Sequence, residues 1–338
     1  MKLLKTLSLS VATLALATTV SGADTLEQVK KKGYVSCGIS TGIAGFSATD
    51  SSGTWKGIDV DMCRAVASAV FGDDTKVKYA PLTAKERFTA LQSGEIDLLS
   101  RATTWTATRD TSLGLNFAGV NYYDGQGFLV SKNIGVNSAL ELDGATVCIQ
   151  AGTTTELNLT DYFKANKMTY KPITYDTSAQ TIEGFKSGRC DVVTSDASQL
   201  YGLVLKVKDP STVKVLPEII SKEPLGPVVR QGDDKWFNIV KWSYNALLNS
   251  EELGVTQGNV DAMTKSANPN IKRLLGVSGK VGQNLGLDAK WAYNIVKNVG
   301  NYGESFARNV GKDSPLKIDR GLNKLWNQGG LQYGAPIR

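Results

Sequence analysis

Apolar residues along this chain follow two alternating rhythms. Short apolar runs, Tyr34–Ile39, Val77–Ala80 and Ile96-Asp97-Leu98-Leu99-Ser100, read as strands buried on both faces. Between them, Ile58 to Phe71 places Val60, Cys63, Ala67 and Val70 at helical spacing. Turn and cap signals separate the two. Asp24 or Thr25 caps a short helix to Lys32 that Gly33 stops, Trp55-Lys56-Gly57 is a turn, and Thr83 to Glu86 forms a capping box. That box opens a helix ending at Ser93-Gly94. Strands alternating with helices predict an α/β unit with a parallel sheet.

A second unit repeats the plan. Ala145–Ile149, Thr169–Tyr175 and Cys190–Ser195 read as strands. Helices from the box Thr153 to Glu156 to about Asn166, from Thr177 to Ser187, and from Asp196 through Lys206 lie between and after them. The repeat is also visible in residues. LQSGEIDLLS (Leu91–Ser100) matches FKSGRCDVVT (Phe185–Thr194): Ser-Gly, two residues, Asp, then an apolar strand ending in a hydroxyl. Shared order and shared residues predict two lobes of similar design.

Two extended stretches, Gly125–Lys132 and about Ile219–Val229, would connect the lobes as a hinge. Pro224, Gly226 and Pro227 favour a non-helical crossing. Beyond about Leu253, helical patterns recur around Gln257–Lys265, Ile271–Leu275, Asp288–Val299 and Leu322–Asn327. Trp291, Tyr293, Phe306 and Trp326 are expected to pack this extension against a lobe.

The first residues set the compartment. Lys2 and Lys5 flank an apolar run from Leu7 to Val20, and Ser21-Gly22-Ala23 supplies the small residues of a cleavage site. This predicts a signal peptide over residues 1–23, cleaved after about Ala23, and an exported, periplasmic chain. Removing Lys2 and Lys5 from the 38 basic residues, against 32 acidic ones, lowers the net charge from +6 to +4. The charges are interspersed and no basic run carries interleaved aromatics, so nucleic acid is not an expected partner. Histidine is absent, which removes Ser-His-Asp and Cys-His catalysis and the commonest metal ligand. The four cysteines, in an exported chain, predict disulfides rather than zinc. Three pairings are possible. Cys37–Cys63 and Cys148–Cys190 are expected, because each closes within one lobe. No metal and no cofactor is expected.

The chemistry gathers at the strand ends. After Ser100 come small or hydroxyl-bearing residues, Ala102, Thr103, Thr104 and Thr106, then Arg109 in the first turn of the helix that Thr106 would cap. A helix N-terminus favours anions, and an arginine adds a planar fork that matches a carboxylate. The aligned end of the second unit's strand carries Asp196, which reads as a helix N-cap or as a ligand for an ammonium. Ligands of open α/β sheets bind beyond the carboxyl ends of the strands. Lobes facing each other there would set Arg109 against Asp196 across a cleft, an arrangement suited to a zwitterion. The loops Ser40–Phe46, with Phe46 as its one large aromatic, and Gln150–Thr155 would complete the walls. Thr104, Thr153 and Thr154 would donate to carboxylate oxygens.

These residues resemble the periplasmic amino-acid-binding proteins of ABC importers. The resemblance rests on Gly57-Ile58-Asp59-Val60-Asp61, Ser93-Gly94-Glu95-Ile96-Asp97, Thr104-x-Thr106-x-x-Arg109, Gln150-x-Gly152-Thr153-Thr154 and Ser195-Asp196, in order over about residues 30–250. Arg101-Ala-Thr-Thr-Trp105, the Cys63-Arg-Ala65 helix and the long extension are similar to the glutamate/glutamine/aspartate/asparagine and general L-amino-acid binders. The resemblance implies the two-lobed type II, "Venus flytrap" fold, each lobe a mostly parallel sheet flanked by helices. Lobe 1 would comprise 24–126 and 228–338, and lobe 2 127–227. It implies Arg109, Thr104 and Thr154 on the α-carboxylate, and Asp196 with backbone near Ala102 on the α-amino group. Relatives carry aromatics at the positions of Ile43 and near Ala84, and their absence counts against a preference for Lys, Arg or His. Arg101 stands where relatives have a small residue; it would reach an acidic side chain or lie on the surface.

The function expected is capture of a free L-amino acid by a monomer without enzymatic activity. Delivery would be to a membrane-embedded ABC permease, with broad or acidic/amide specificity. The rival is a periplasmic lyase on the same fold, similar to cyclohexadienyl dehydratase. Its general acid would be Glu156 or Glu86, both at capping-box positions.

Overall fold

Two five-stranded sheets of the same design organise the chain, seen in a computed structural model that describes residues 24–338. The signal peptide expected over residues 1–23 lies outside the described residues. Before the first crossing come β1 (Val35–Ser40), β2 (Ala48–Thr49), β3 (Trp55–Lys56), β4 (Val77–Leu82), β5 (Leu98–Leu99) and β6 (Leu115–Phe117). The crossing strand is β7 (Tyr122–Asp124). There follow β8 (Gln126–Ser131), β9 (Thr146–Gln150), β10 (Lys171–Tyr175), β11 (Val192–Asp196) and β12 (Val213–Val215). The chain returns through β13 (Glu223–Leu225) and enters β14 (Val228–Arg230).

The sheets have orders β4-β1-β5-β14-β6 and β10-β9-β11-β8-β12. In each, three parallel strands meet one reversed strand, and the fifth runs antiparallel to that one. Four of five strands therefore share a direction. The reversed strand is in both cases the one that follows a crossing: β14 in the first sheet, β8 in the second. The repeat of Leu91–Ser100 in Phe185–Thr194 lands on β5 and β11, which hold the same position in their sheets.

The elements form where periodicity and caps place them. The helix Ile58–Phe71 has the predicted bounds and lies between Gly57 and Gly72. Asp24 caps Thr25–Lys32 by accepting from the Glu27 amide. The box at Thr83 forms, with Glu86 accepting from the Thr83 amide at 2.9 Å. The box at Thr153 does not. The Thr153 hydroxyl caps nothing, and Glu156 takes the Gly152 amide instead, at 3.1 Å. Both expected disulfides are formed, Cys37–Cys63 and Cys148–Cys190. Each ties a strand to an element of its own half: β1 to the Ile58–Phe71 helix, and β9 to the turn before β11.

The crossing differs from the expectation in register. The paired crossing strands are β7 and β13, antiparallel, whereas most of Gly125–Lys132 is β8, inside the second sheet. Gly226 is required nearby: a Cβ there would stand 1.9 Å from the Gly119 carbonyl oxygen.

The extension packs on the first sheet's half. Trp291–Val299 lies on Ile58–Phe71, with Trp291 and Phe306 buried in the same core. A helix missed in the sequence, Tyr302–Asn309, is opened by an Asn301/Glu304 capping box. Its Ser305 and Asn309 both donate to Asp61 at 2.6 Å, which pins the extension to the core helix. Asn323 brackets the backbone of Tyr123 in β7, accepting from its amide at 2.7 Å and donating to its carbonyl at 3.1 Å. Trp326 departs from the expected packing. It is half exposed, its ring tilted against the exposed Tyr333 and its indole N–H donating to Glu252 at 3.3 Å.

Candidate functional site between the two sheets

The carboxyl ends of the parallel strands of both sheets face one small cavity. Its lining follows β1 (Ile43), β4 (Arg87), β5 (Arg101, Ala102, Thr104), β9 (Gln150, Thr153, Thr154, Thr155) and the end of β11 (Ser195, Asp196), with Gln199 one turn further. The halves are closed on one another. Lys85 pairs with Asp176 at 2.8 Å, and Arg87 reaches the Gly152 carbonyl at 3.4 Å.

The β5 end is held in a constrained shape. Ala102 has φ 39°, a left-handed conformation unusual for alanine. Asp59, at the start of the core helix, accepts from the Ala102 amide at 2.8 Å and from the Ser100 hydroxyl at 3.1 Å. Burial pushes the Asp59 carboxyl up to about 6, against these hydrogen bonds and the nearby Arg101 charge. The Gly57–Asp61 motif thus shapes the cavity floor from behind.

Three arginines converge here. Arg101 is buried, not on the surface, and its Nε donates to the Leu82 carbonyl at 3.0 Å. Arg109 stands one layer behind the lining, over the Phe88 ring at 5.0 Å, and donates to the Thr104 carbonyl at 2.8 Å. Burial pushes both guanidiniums down to about 10. Asp59 chiefly offsets this for Arg101, and Glu223 and Asp196 do so for Arg109. Arg87, missed in the sequence, is 2 % exposed, and its Nε has no hydrogen-bond partner. Burial first, then repulsion from Arg101 and Arg109, lowers its pKa well below the ordinary value. A buried donor without a partner is costly unless a ligand supplies the acceptor.

Asp196 lies opposite, at the end of β11. It occupies the N-cap position of Ala197–Val204 but makes no cap bond; its carboxylate accepts from Gln199 Nε2 at 2.8 Å. Burial raises its pKa well above the carboxylate range, with Asp124 and Glu223 adding to the rise. On its own half, the helix Thr154–Ala165 begins at the cavity wall. The Thr153 hydroxyl is engaged with the Gln150 carbonyl at 2.7 Å, so the first-turn amides are left without a side-chain cap.

Of the residues expected at the site, Arg101, Ala102, Thr104, Thr153, Thr154 and Asp196 line the cavity. Phe46 does not. It is 1 % exposed in the first core, edge-on to Tyr122 at 5.1 Å, and Ile43 takes the wall position. Glu223, also missed, sits on β13 and binds side chains from both halves. Its partners from the two halves, Thr104, Thr154 and Asn158, lie far away in sequence, so no local pattern marks it. Arg87 had a faint signal, an arginine directly after the Thr83–Glu86 box.

Comparison with known proteins places these features. Residues 35–258 match the bacterial extracellular solute-binding proteins, family 3. The chain is 60% identical to the general L-amino acid-binding periplasmic protein AapJ of Rhizobium johnstonii, over 98% of both chains. It is 51% identical to the glutamate/glutamine/aspartate/asparagine-binding protein BztA of Rhodobacter capsulatus, over 97% of this chain and 98% of that one. A solved periplasmic binding protein from Brucella ovis, with glutathione bound, superposes with a TM-score of 0.91 at 60% identity. It covers 94% of this chain and 100% of that one. With the two-lobed type II architecture and its cavity already described, these matches show that the chain belongs to the bacterial extracellular solute-binding proteins, family 3.

Proposed function

We propose that this protein captures free L-amino acids in the periplasm and delivers them to a membrane-embedded ABC permease. The observation that carries the reading is the charge layout of one closed cavity. Arginines and an uncapped helix N-terminus border it on two sides, and the desolvated Asp196 lies opposite. A zwitterion supplies what each side lacks. Its α-carboxylate lies toward Arg109, Thr104 and the start of Thr154–Ala165; its ammonium lies toward Asp196 and the backbone at Ala102. The lobes, 24–126 with 228–338 and 127–227, close over it about β7 and β13. Arg101 and Arg87, whose Nε has no hydrogen-bond partner, favour a ligand with a second acceptor group, an acidic or amide side chain. The names of the relatives point the same way.

The lyase reading is not favoured. The relatives compared above are named as binding proteins. The two candidate acids are engaged elsewhere, Glu86 with Thr83 and Glu156 with the Gly152 amide, and neither lines the cavity.

Thermal unfolding with a panel of L-amino acids tests the function and carries a pH signature. Burial between the closed lobes raises the Asp196 carboxyl. The closed form is therefore unpenalised below the ordinary carboxylate value of 3.8 and loses stability as pH rises through the raised value. A ligand ammonium offsets that loss. Saturating ligand is expected to raise the unfolding temperature by about 5 °C or more at pH 7, and by less at pH 4. No shift with any amino acid would sink the function; a larger shift at pH 4 would sink the role of Asp196.

A further inference from the structure

We propose that Glu223 is an interlobe latch. It is a positioning residue whose carboxylate gathers Thr104 of lobe 1, Thr154 and Asn158 of the lobe 2 helix, and Ser221 of its own crossing segment when the lobes are closed. Glu223 is 1 % exposed on the returning crossing strand. Its Oε2 accepts from the hydroxyls of Thr104 at 2.5 Å and Thr154 at 2.9 Å. Its Oε1 accepts from Asn158 Nδ2 at 2.6 Å and Ser221 Oγ at 2.8 Å. Four side-chain donors on one buried carboxylate form a charge-assisted set, each bond stronger than a neutral one.

The backbone seams show what closure must bring together. Residues 224–226 are sealed to lobe 1: Trp105 N–H donates to Pro224 O at 2.8 Å, and Gly226 N–H to Thr103 O at 3.0 Å. Residues 220–221 are sealed to the start of β8 in the second sheet: Ile220 N–H donates to Gln126 O at 2.9 Å, and Gln126 N–H to Ser221 Oγ at 3.3 Å. Glu223 lies between the seams. Thr104 stays beside it through the Thr104–Leu225 bridge. Thr154 and Asn158, on the helix of lobe 2, reach it only when the cleft is shut.

The latch also sets what the cavity offers. An ionised carboxylate only accepts, so the hydroxyl hydrogens of Thr104 and Thr154 point to Glu223. The two hydroxyl oxygens, 3.3 Å apart, keep acceptor capacity alone. A ligand carboxylate must then be held by backbone amides and guanidiniums rather than by these hydroxyls. Glu223 thus stabilises closure and keeps the carboxylate subsite at the Thr154–Ala165 N-terminus.

The inference rests on the binding reading for its ligand arm, but its first test needs no ligand. Small-angle scattering of the empty protein is compared for wild type, Glu223→Gln and Asn158→Ala. An amide has one acceptor end for four donors, so E223Q is expected to enlarge the radius of gyration of the empty form. N158A, which leaves every lining residue in place, is expected to do so to a lesser degree. In stopped-flow release of a bound amino acid, E223Q is expected to dissociate about tenfold faster, with N158A adding less than its single effect in the double variant. The rank order of amino acids is expected to stay unchanged. Wild-type scattering and release in E223Q, full additivity with N158A, or an altered rank order would each overturn the latch. Failure of wild type to bind any amino acid would overturn the binding reading while leaving the scattering test intact.

Discussion

Arg109→Ala is expected to weaken amino-acid binding by about 2–5 kcal/mol, the loss seen when one partner of a buried charge pair is removed. Arg109 is 8 % exposed, lies over Phe88 and braces the Thr104 carbonyl. Its charge feels both Glu223 and Asp196, so it contributes to the field at the whole cavity and not to one contact. Removing it takes away a cation and the brace on Thr104 together. Stability of the empty protein changes little by comparison, since a desolvated guanidinium without a carboxylate partner is itself costly. Lysine at 109 keeps the charge but not the planar fork, and is expected to fall between. Calorimetric titration with circular dichroism as a folding control makes the check. Binding within twofold of wild type would remove Arg109 from the site.

Asp196→Asn is expected to act in opposite directions on stability and on binding. The closed lobes bury this carboxylate within the field of Asp124 and Glu223, with one hydrogen bond from Gln199. An asparagine keeps an acceptor for Gln199 and removes the desolvated charge. The empty form should gain about 1–3 kcal/mol, read as a rise of a few degrees in unfolding temperature. Binding should weaken by about 2–5 kcal/mol, since the ligand ammonium loses its anion. A role as helix cap alone predicts no change in stability, because Asn and Asp serve about equally as N-caps. An unchanged or lowered unfolding temperature with intact binding would refute the assignment.

The fold was legible because its signals are local. Apolar runs on strands, 3.6-residue spacing on Ile58–Phe71, and glycines at helix ends fall within a few residues of what they specify. The Ser-Gly-x-x-Asp repeat carried longer-range information, because it aligned β5 with β11 and so paired the Arg109 and Asp196 strand ends. What stayed hidden depends on neighbours distant in sequence. Phe46 stands alone in a glycine-rich loop and reads as part of the cleft wall; Tyr122 and the extension's Phe306 are what turn that cluster inward. Arg87 reads as the polar face of a helix until the closed lobes bury it. Glu223 reads as a residue of the hinge, because Thr104 and Asn158 meet it only in three dimensions. The Thr153 box failed for a related reason: its threonine has a better acceptor in the Gln150 carbonyl, and that frees the helix end for an anion.

The zwitterion clamp is tested most directly by calorimetric titration of the wild-type protein with three compounds. They are the amino acid that binds tightest in the panel, its α-amide and its deaminated acid. The geometry predicts tight one-site binding of the amino acid, with the other two weaker by about 100-fold or more, each leaving one buried charge unpaired. Equal binding of the α-amide or of the deaminated acid would contradict the clamp of Arg109 and the Thr154 helix end against Asp196.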